Sequence, residues 1–208
     1  MFLKKGSLFI ITLCPGFLTA QHSNRVIIKT QLLTNAIAHN PTLGIEKILN
    51  DKFSLELEGI WMRRDKTSNS GEGVHQSFYN SNGLALTFST KYYFDKKNTI
   101  PNGKYLSGFI RYNSTTIKNV DKAQSINGSY LRTIDLHMQG PELGFLLGRQ
   151  FLFKNFTSDI NFGLGYYWQS YQETLKSGQT SNDFVNGRYK TGYRIVRPYL
   201  HVTIGYML

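Results

Sequence analysis

Residues 156–170 read FTSDINFGLGYYWQS, and every second one is greasy. Phe156, Ile160, Phe162, Leu164, Tyr166 and Trp168 fall on one face, interrupted only by Ser158. Thr157, Asp159, Asn161, Gly163, Gly165, Tyr167 and Gln169 fall on the other. Side chains alternate across a strand, so this pattern specifies a ribbon with one apolar and one polar or small face. Soluble strands usually run about 5–6 residues, and the alternation here lasts more than twice that. Long strands with an apolar face ending in aromatics are what a membrane-spanning barrel requires.

The same period recurs along the chain. Strands are expected over 25–38, 42–49, 52–63, 82–94, 104–118, 138–153, 156–170 and 194–208. Leu43 and Ile45, Leu55 and Leu57, Leu84, Leu86 and Phe88, Leu143 and Phe145, and Leu200, Val202 and Ile204 each mark an apolar row. Tight turns are expected at Asn50-Asp51 and Lys154-Asn155, and a turn at Pro101-Asn102-Gly103. Long polar connections are expected at 64–81, 119–137 and 171–193. Short and long connections therefore alternate, apart from a short turn after the first strand. This points to an all-β chain, an eight-stranded antiparallel up-and-down transmembrane β-barrel with short periplasmic turns and longer outside loops.

No run of about 18 apolar residues follows the start, which excludes a transmembrane helix but not a barrel, whose alternation averages to a polar composition. The mean hydropathy of −0.31 agrees with that. Residues 1–20 have the layout of a signal peptide: Lys4 and Lys5, an apolar middle at 8–13, and Leu18-Thr19-Ala20 before the cut. The one cysteine, Cys14, lies inside this segment, so a mature chain from Gln21 has no disulfide framework. The net charge of +11 raises the question of nucleic acid. The cations sit singly at strand ends, in loops or on the polar face, without a basic helical stripe, so no nucleic-acid partner is expected.

The polar face carries Lys29, Glu46, Glu56, Glu58, Lys91, Arg111, Glu142, Asp159 and Arg197. Charges of mixed sign can neutralise one another inside a barrel, and an eight-stranded barrel is just wide enough for side chains to fill. The expected interior is a charge network that plugs the lumen, with Arg111 and Glu142 as one pair. A soluble calycin-like carrier of apolar ligands is the alternative; it needs the greasy rows turned inward. The closing alternation from Leu200 to Leu208 resembles the strand that the barrel assembly machinery recognises.

Chemistry is sparse. His22, His39, His75, His137 and His201 are scattered, without a nucleophile and base at catalytic spacing. There is no HExxH and no cysteine pair for a metal. Gly163-Leu164-Gly165 lies mid-strand and is not a phosphate loop. The expectation is no enzyme, no catalytic residue, no cofactor and no metal, with a lipid A-modifying enzyme as the competing reading.

The segments KTQLLTNAIAHNPTLGIEKILNDKFSLELEG, KYYF, GKYLSGFIRYN, GPELGFLLGRQFLF and PYLHVTIGYML carry a resemblance. The chain resembles a domain-of-unknown-function family of small outer-membrane β-barrels of Gram-negative bacteria, an OmpA-like eight-stranded fold. The resemblance implies fold and cell outer membrane location and carries over no catalytic residue. Expected partners are outer-membrane lipid and lipopolysaccharide, the latter met by Arg64, Lys66, Lys118, Lys122, Arg132, Lys176, Arg188 and Lys190, and an extracellular partner at loops 64–81, 119–137 and 171–193.

Overall fold

A computed structural model describes residues 25–33, 40–68, 77–94, 101–124, 130–177 and 188–208. Residues 1–24, with the expected signal peptide and Cys14, lie outside the described residues, as do His39 and His75. Eight strands close into a barrel in chain order: β1 (Val26–Gln31), β2 (Thr42–Ile48), β3 (Phe53–Ser68), β4 (Ser77–Tyr93), β5 (Gly103–Gln124), β6 (Tyr130–Phe153), β7 (Phe156–Ser177) and β8 (Arg188–Met207). Every neighbouring pair is antiparallel, and β1 pairs with β8 to complete the ring.

Register fixes the shape. From Gly205 the pairing runs to Lys29, Gly44, Glu58, Thr87, Arg111, Glu142 and Tyr167, and returns to β8 at Ile195. The return is displaced by 205 − 195, a shear of ten. Eight strands with that shear tilt by about 40° and enclose a cylinder about 8 Å in radius, by the usual strand spacing and rise. Each step to the next strand then climbs about 3 Å along the axis, and each residue along a strand about 2.5 Å.

Three expectations are corrected. The polar stretches 64–81, 119–137 and 171–193 are not loops for most of their length: β3 and β4 stay paired to Ser68↔Ser77, β5 and β6 to Gln124↔Tyr130, and β7 and β8 to Thr174↔Arg188. Five residues, 125–129, separate β5 from β6, fewer than the nine, 94–102, between β4 and β5 at the opposite end, so connection length does not distinguish the two ends. What does is that the strands extend past the apolar band at one end only. The first strand, expected over 25–38, stops at Gln31, where Leu32 and Leu33 turn helical; 34–38 lie outside the described residues. β1 accordingly covers only Thr203–Met207 of β8, and Pro198 lies beyond that overlap. The β1-side edge of β8 there meets no described strand, which is where a sheet tolerates a proline.

Inside, the sheet matches large against small. Tyr105 and Phe109 of β5 sit opposite Gly148 and Gly144 of β6. Tyr105 is fully buried and Phe109 nearly so. A Cβ on Gly148 would stand 2.6 Å from the Tyr105 ring, and one on Gly144 2.5 Å from the Phe109 ring. The β6 glycines are thus slots for the β5 aromatics. Outward Gly108, by contrast, has nothing within 4 Å of a built Cβ. Gly148→Ala is expected to lower unfolding free energy in urea by about 1–3 kcal/mol through overpacking, and Gly108→Ala to stay within about 0.5 kcal/mol. Equal effects of the two would remove the slot from the account.

Candidate functional site

The polar rows converge on the barrel axis, because every charged member lies on the parity that points inward. A little above the lower end of the wall, two ammonium groups meet three carboxylates. Lys91 Nζ lies 3.4 Å from Glu46, 2.7 Å from Glu56 and 2.9 Å from Asp159. Lys29 Nζ touches Glu46 and lies 3.5 Å from both Glu56 and Asp159. Each lysine therefore contacts all three acids, and the five residues come from β1, β2, β3, β4 and β7. All but Glu56 are 5% exposed or less at the side chain.

Two cations against three anions leave one negative charge in excess, and neutral donors take it up. Tyr93 Oη donates to Glu46 at 3.1 Å and Tyr105 Oη to Asp159 at 2.6 Å. Ser54 Oγ donates to Glu46, and Gln150 Nε2 does so at 3.3 Å. The single Tyr93 hydroxyl proton is shared with Gln150 Oε1 at 2.6 Å, so the two donors are tied to one another. Hydrogen bonds to a charged acceptor are the stronger class, and buried networks are favourable when each member is satisfied.

A second tier lies towards the end where the strands extend. Gln31 Nε2 donates to Glu58 at 2.5 Å, and Arg111 stands 4.0 Å from the same carboxylate. Arg111 Nε donates to Thr87 Oγ1 at 2.8 Å, and its guanidinium lies 5.0 Å from the centre of the Tyr199 ring and 5.5 Å from that of Phe109. Glu142 accepts from Asn113 Nδ2 at 3.3 Å and from Tyr199 Oη. Arg197 lies over the Tyr167 ring at 4.2 Å. His201 faces inward beside Tyr199, with ring centres 5.3 Å apart.

All nine residues of the expected network thus point into the barrel, but not as one cluster. Lys29, Glu46, Glu56, Lys91 and Asp159 form the lower tier, and Glu58, Arg111, Glu142 and Arg197 the upper. The expected Arg111–Glu142 ion pair is corrected. The two are directly opposite in register, yet Arg111 turns to Thr87 and Glu58 while Glu142 is held by Asn113 and Tyr199. Sequence reasoning missed Tyr105 and Tyr199. Strand parity alone would have found both, since they share it with Arg111 and Arg197.

His137, considered for catalysis, bonds Thr116 Oγ1 at 3.0 Å and Gln139 at 3.2 Å. Among the described residues no group of three or more His, Cys, Asp or Glu is arranged to hold a metal. Of the basic residues expected to meet lipopolysaccharide, Lys118, Lys176 and Lys190 are exposed on strand extensions, with Lys176 3.2 Å from Asp135. The side chains of Arg64, Lys66, Lys122, Arg132 and Arg188 lie outside the described residues.

Removing Lys91 as Lys91→Met leaves three carboxylates with one cation and is expected to cost about 3–5 kcal/mol in urea unfolding. Adding Glu56→Gln should recover part of that loss. The swap Arg111→Glu with Glu142→Arg should not rescue either single reversal; full rescue would restore the direct pair that the geometry denies.

One similar solved structure is that of a major outer membrane protein from Thermus thermophilus, with 12% identity over 90% of this chain and 100% of that chain, at a TM-score of 0.45. No curated protein matches. Residues 8–197 match a family described as protein of unknown function, DUF3575. With most of its length accounted for by that match, the chain belongs to the DUF3575 family.

Proposed function

We propose that this chain is an integral outer-membrane barrel with a side-chain-plugged lumen that passes no ions, and that its role is structural or one of surface interaction rather than catalysis. The observation that carries the reading is the outward surface. Phe162, Leu200, Leu43, Phe145 and Leu57 are 54–62% exposed, on five strands. A water-facing surface of that kind would aggregate unless covered.

Aromatics bound the band. The register geometry places Trp61, Tyr112 and Tyr166 within about 3 Å of one height, and Phe53, Tyr92, Phe156 and Tyr206 cluster roughly 20 Å below. Membrane barrels carry an apolar band about 25 Å tall between two aromatic girdles. A soluble carrier of apolar ligands needs the reverse orientation, with Phe162, Leu164 and Leu200 lining the interior. Here all three face out.

The plugged lumen is supported by the two tiers of side chains, which leave a cavity of about 30 Å³ between them, room for one or two waters. The strand extensions beyond the upper girdle, with Lys118, Lys176 and Lys190, would stand on the outer side and meet lipopolysaccharide. The alternating end of β8 would serve recognition by the barrel assembly machinery.

In expressing cells the protein is expected in membranes after a carbonate wash, and to run faster on a gel unheated than boiled. In planar bilayers it should give no steady conductance above background. Release by carbonate would sink the membrane placement, and regular conductance steps would sink the plug.

A further inference from the structure

The outward face of the lower girdle carries a feature that neither the charge network nor the apolar band explains. Lys104 of β5 and Arg149 of β6 are directly opposite in register, and both are exposed. Their parity places them on the lipid-facing side, next to Leu106 and Leu147. Like charges directly opposite on neighbouring strands are destabilising, with Cβ atoms about 4.5–5.5 Å apart. Among the described residues neither has a carboxylate partner. No Asp or Glu shares the outward face of the described strands between the two girdles.

The surroundings fit an anion at the edge of an oily layer. The Arg149 guanidinium lies 4.8 Å from the centre of the Phe151 ring. Phe94 flanks Lys104 on the other side, its N–H donating to the Lys104 carbonyl at 3.2 Å. The shear geometry places both cations within about 4 Å of the height of the lower aromatic girdle. That is the level at which Tyr, Trp, Lys and Arg side chains meet headgroups.

We propose that Lys104 and Arg149 together bind the phosphate of an anionic glycerophospholipid in the leaflet that meets the end of the barrel opposite the strand extensions. Arg149 supplies a planar fork that matches two phosphate oxygens, and Lys104 a point charge beside it. The lipid's acyl chains would lie along the outward row of Leu106, Leu147 and Phe162. Binding relieves the repulsion that the register imposes and so stabilises the folded wall. This rests on the membrane placement proposed above.

The test uses the full chain, folded in detergent and moved into lipid nanodiscs. Compared are discs of phosphatidylcholine, discs with a quarter phosphatidylglycerol, and phosphatidylcholine discs in inorganic phosphate. The readout is the midpoint of loss of the fast-migrating folded form on heating. Phosphatidylglycerol is expected to raise the midpoint by several degrees, and inorganic phosphate to leave it unchanged. Lys104→Gln with Arg149→Gln should fold, since both side chains are exposed, and should lose the phosphatidylglycerol shift. Lys190→Gln, at the other end, should keep it. An undiminished shift in the double variant, or an equal shift from inorganic phosphate, overturns the site. A folded chain that fails to enter any disc overturns the membrane placement itself, and the site with it.

Discussion

Two ammonium groups shared among three carboxylates hold the lower half of this barrel together. The sharing matters more than any one contact. Isolated, each of Glu46, Glu56 and Asp159 would be a buried anion with a desolvation cost of several kcal/mol. With Lys29 and Lys91 each within reach of all three, no charge depends on a single partner. The contacts also join strands that are not neighbours in the sheet: β4 reaches β2 and β7 through Lys91. Backbone pairing ties each strand to the next, and the charge hub ties opposite walls.

The hub explains why Tyr93 and Tyr105 lie where they do. An excess carboxylate charge needs donors that bring no charge of their own, and a phenol does so while its ring fills space. The two rings pack at 5.4 Å between centres, and the Tyr105 ring also lies 4.8 Å from Lys91 Nζ. The ring needs room, which Gly148 supplies across the ladder. A charge balance at the axis thereby reaches the wall as a requirement for glycine at one position of β6. The same logic repeats one tier up, where Phe109 takes the slot at Gly144 and packs edge-on against Tyr199 at 5.7 Å, and Tyr199 in turn holds Glu142.

How much of this could be read from the chain follows from what parity encodes. Alternation specifies which way a side chain points, so the outward rows and all nine inward charges were legible before any coordinates. It does not specify which inward residues meet across the lumen, because that depends on shear, and shear is a property of the whole ring. Arg111 and Glu142 show the limit. They are neighbours in register, yet across an eight-stranded cylinder the side chains of Thr87, Glu58, Asn113 and Tyr199 compete for them, and those win. The strand ends failed for a different reason. Residues such as Asn80 and Ser81 read as loop because neither face there is apolar. On the proposed membrane placement, a strand that has left the apolar band meets water outside and needs no greasy row, so its signal disappears while its ladder continues.

β5, β6 and β7 run on beyond the upper girdle while β1 stops at Gln31, so the wall is tall on one side and short on the other. Held in register by ladder bonds, the tall side presents its exposed Lys118, Lys176 and Lys190 on paired strands rather than on free loops. A surface on strands loses less conformational entropy when it meets a partner than one on loops does. On the proposed placement, fixed spacing of these cations would suit a repeating anionic surface better than a partner that needs the chain to fold around it.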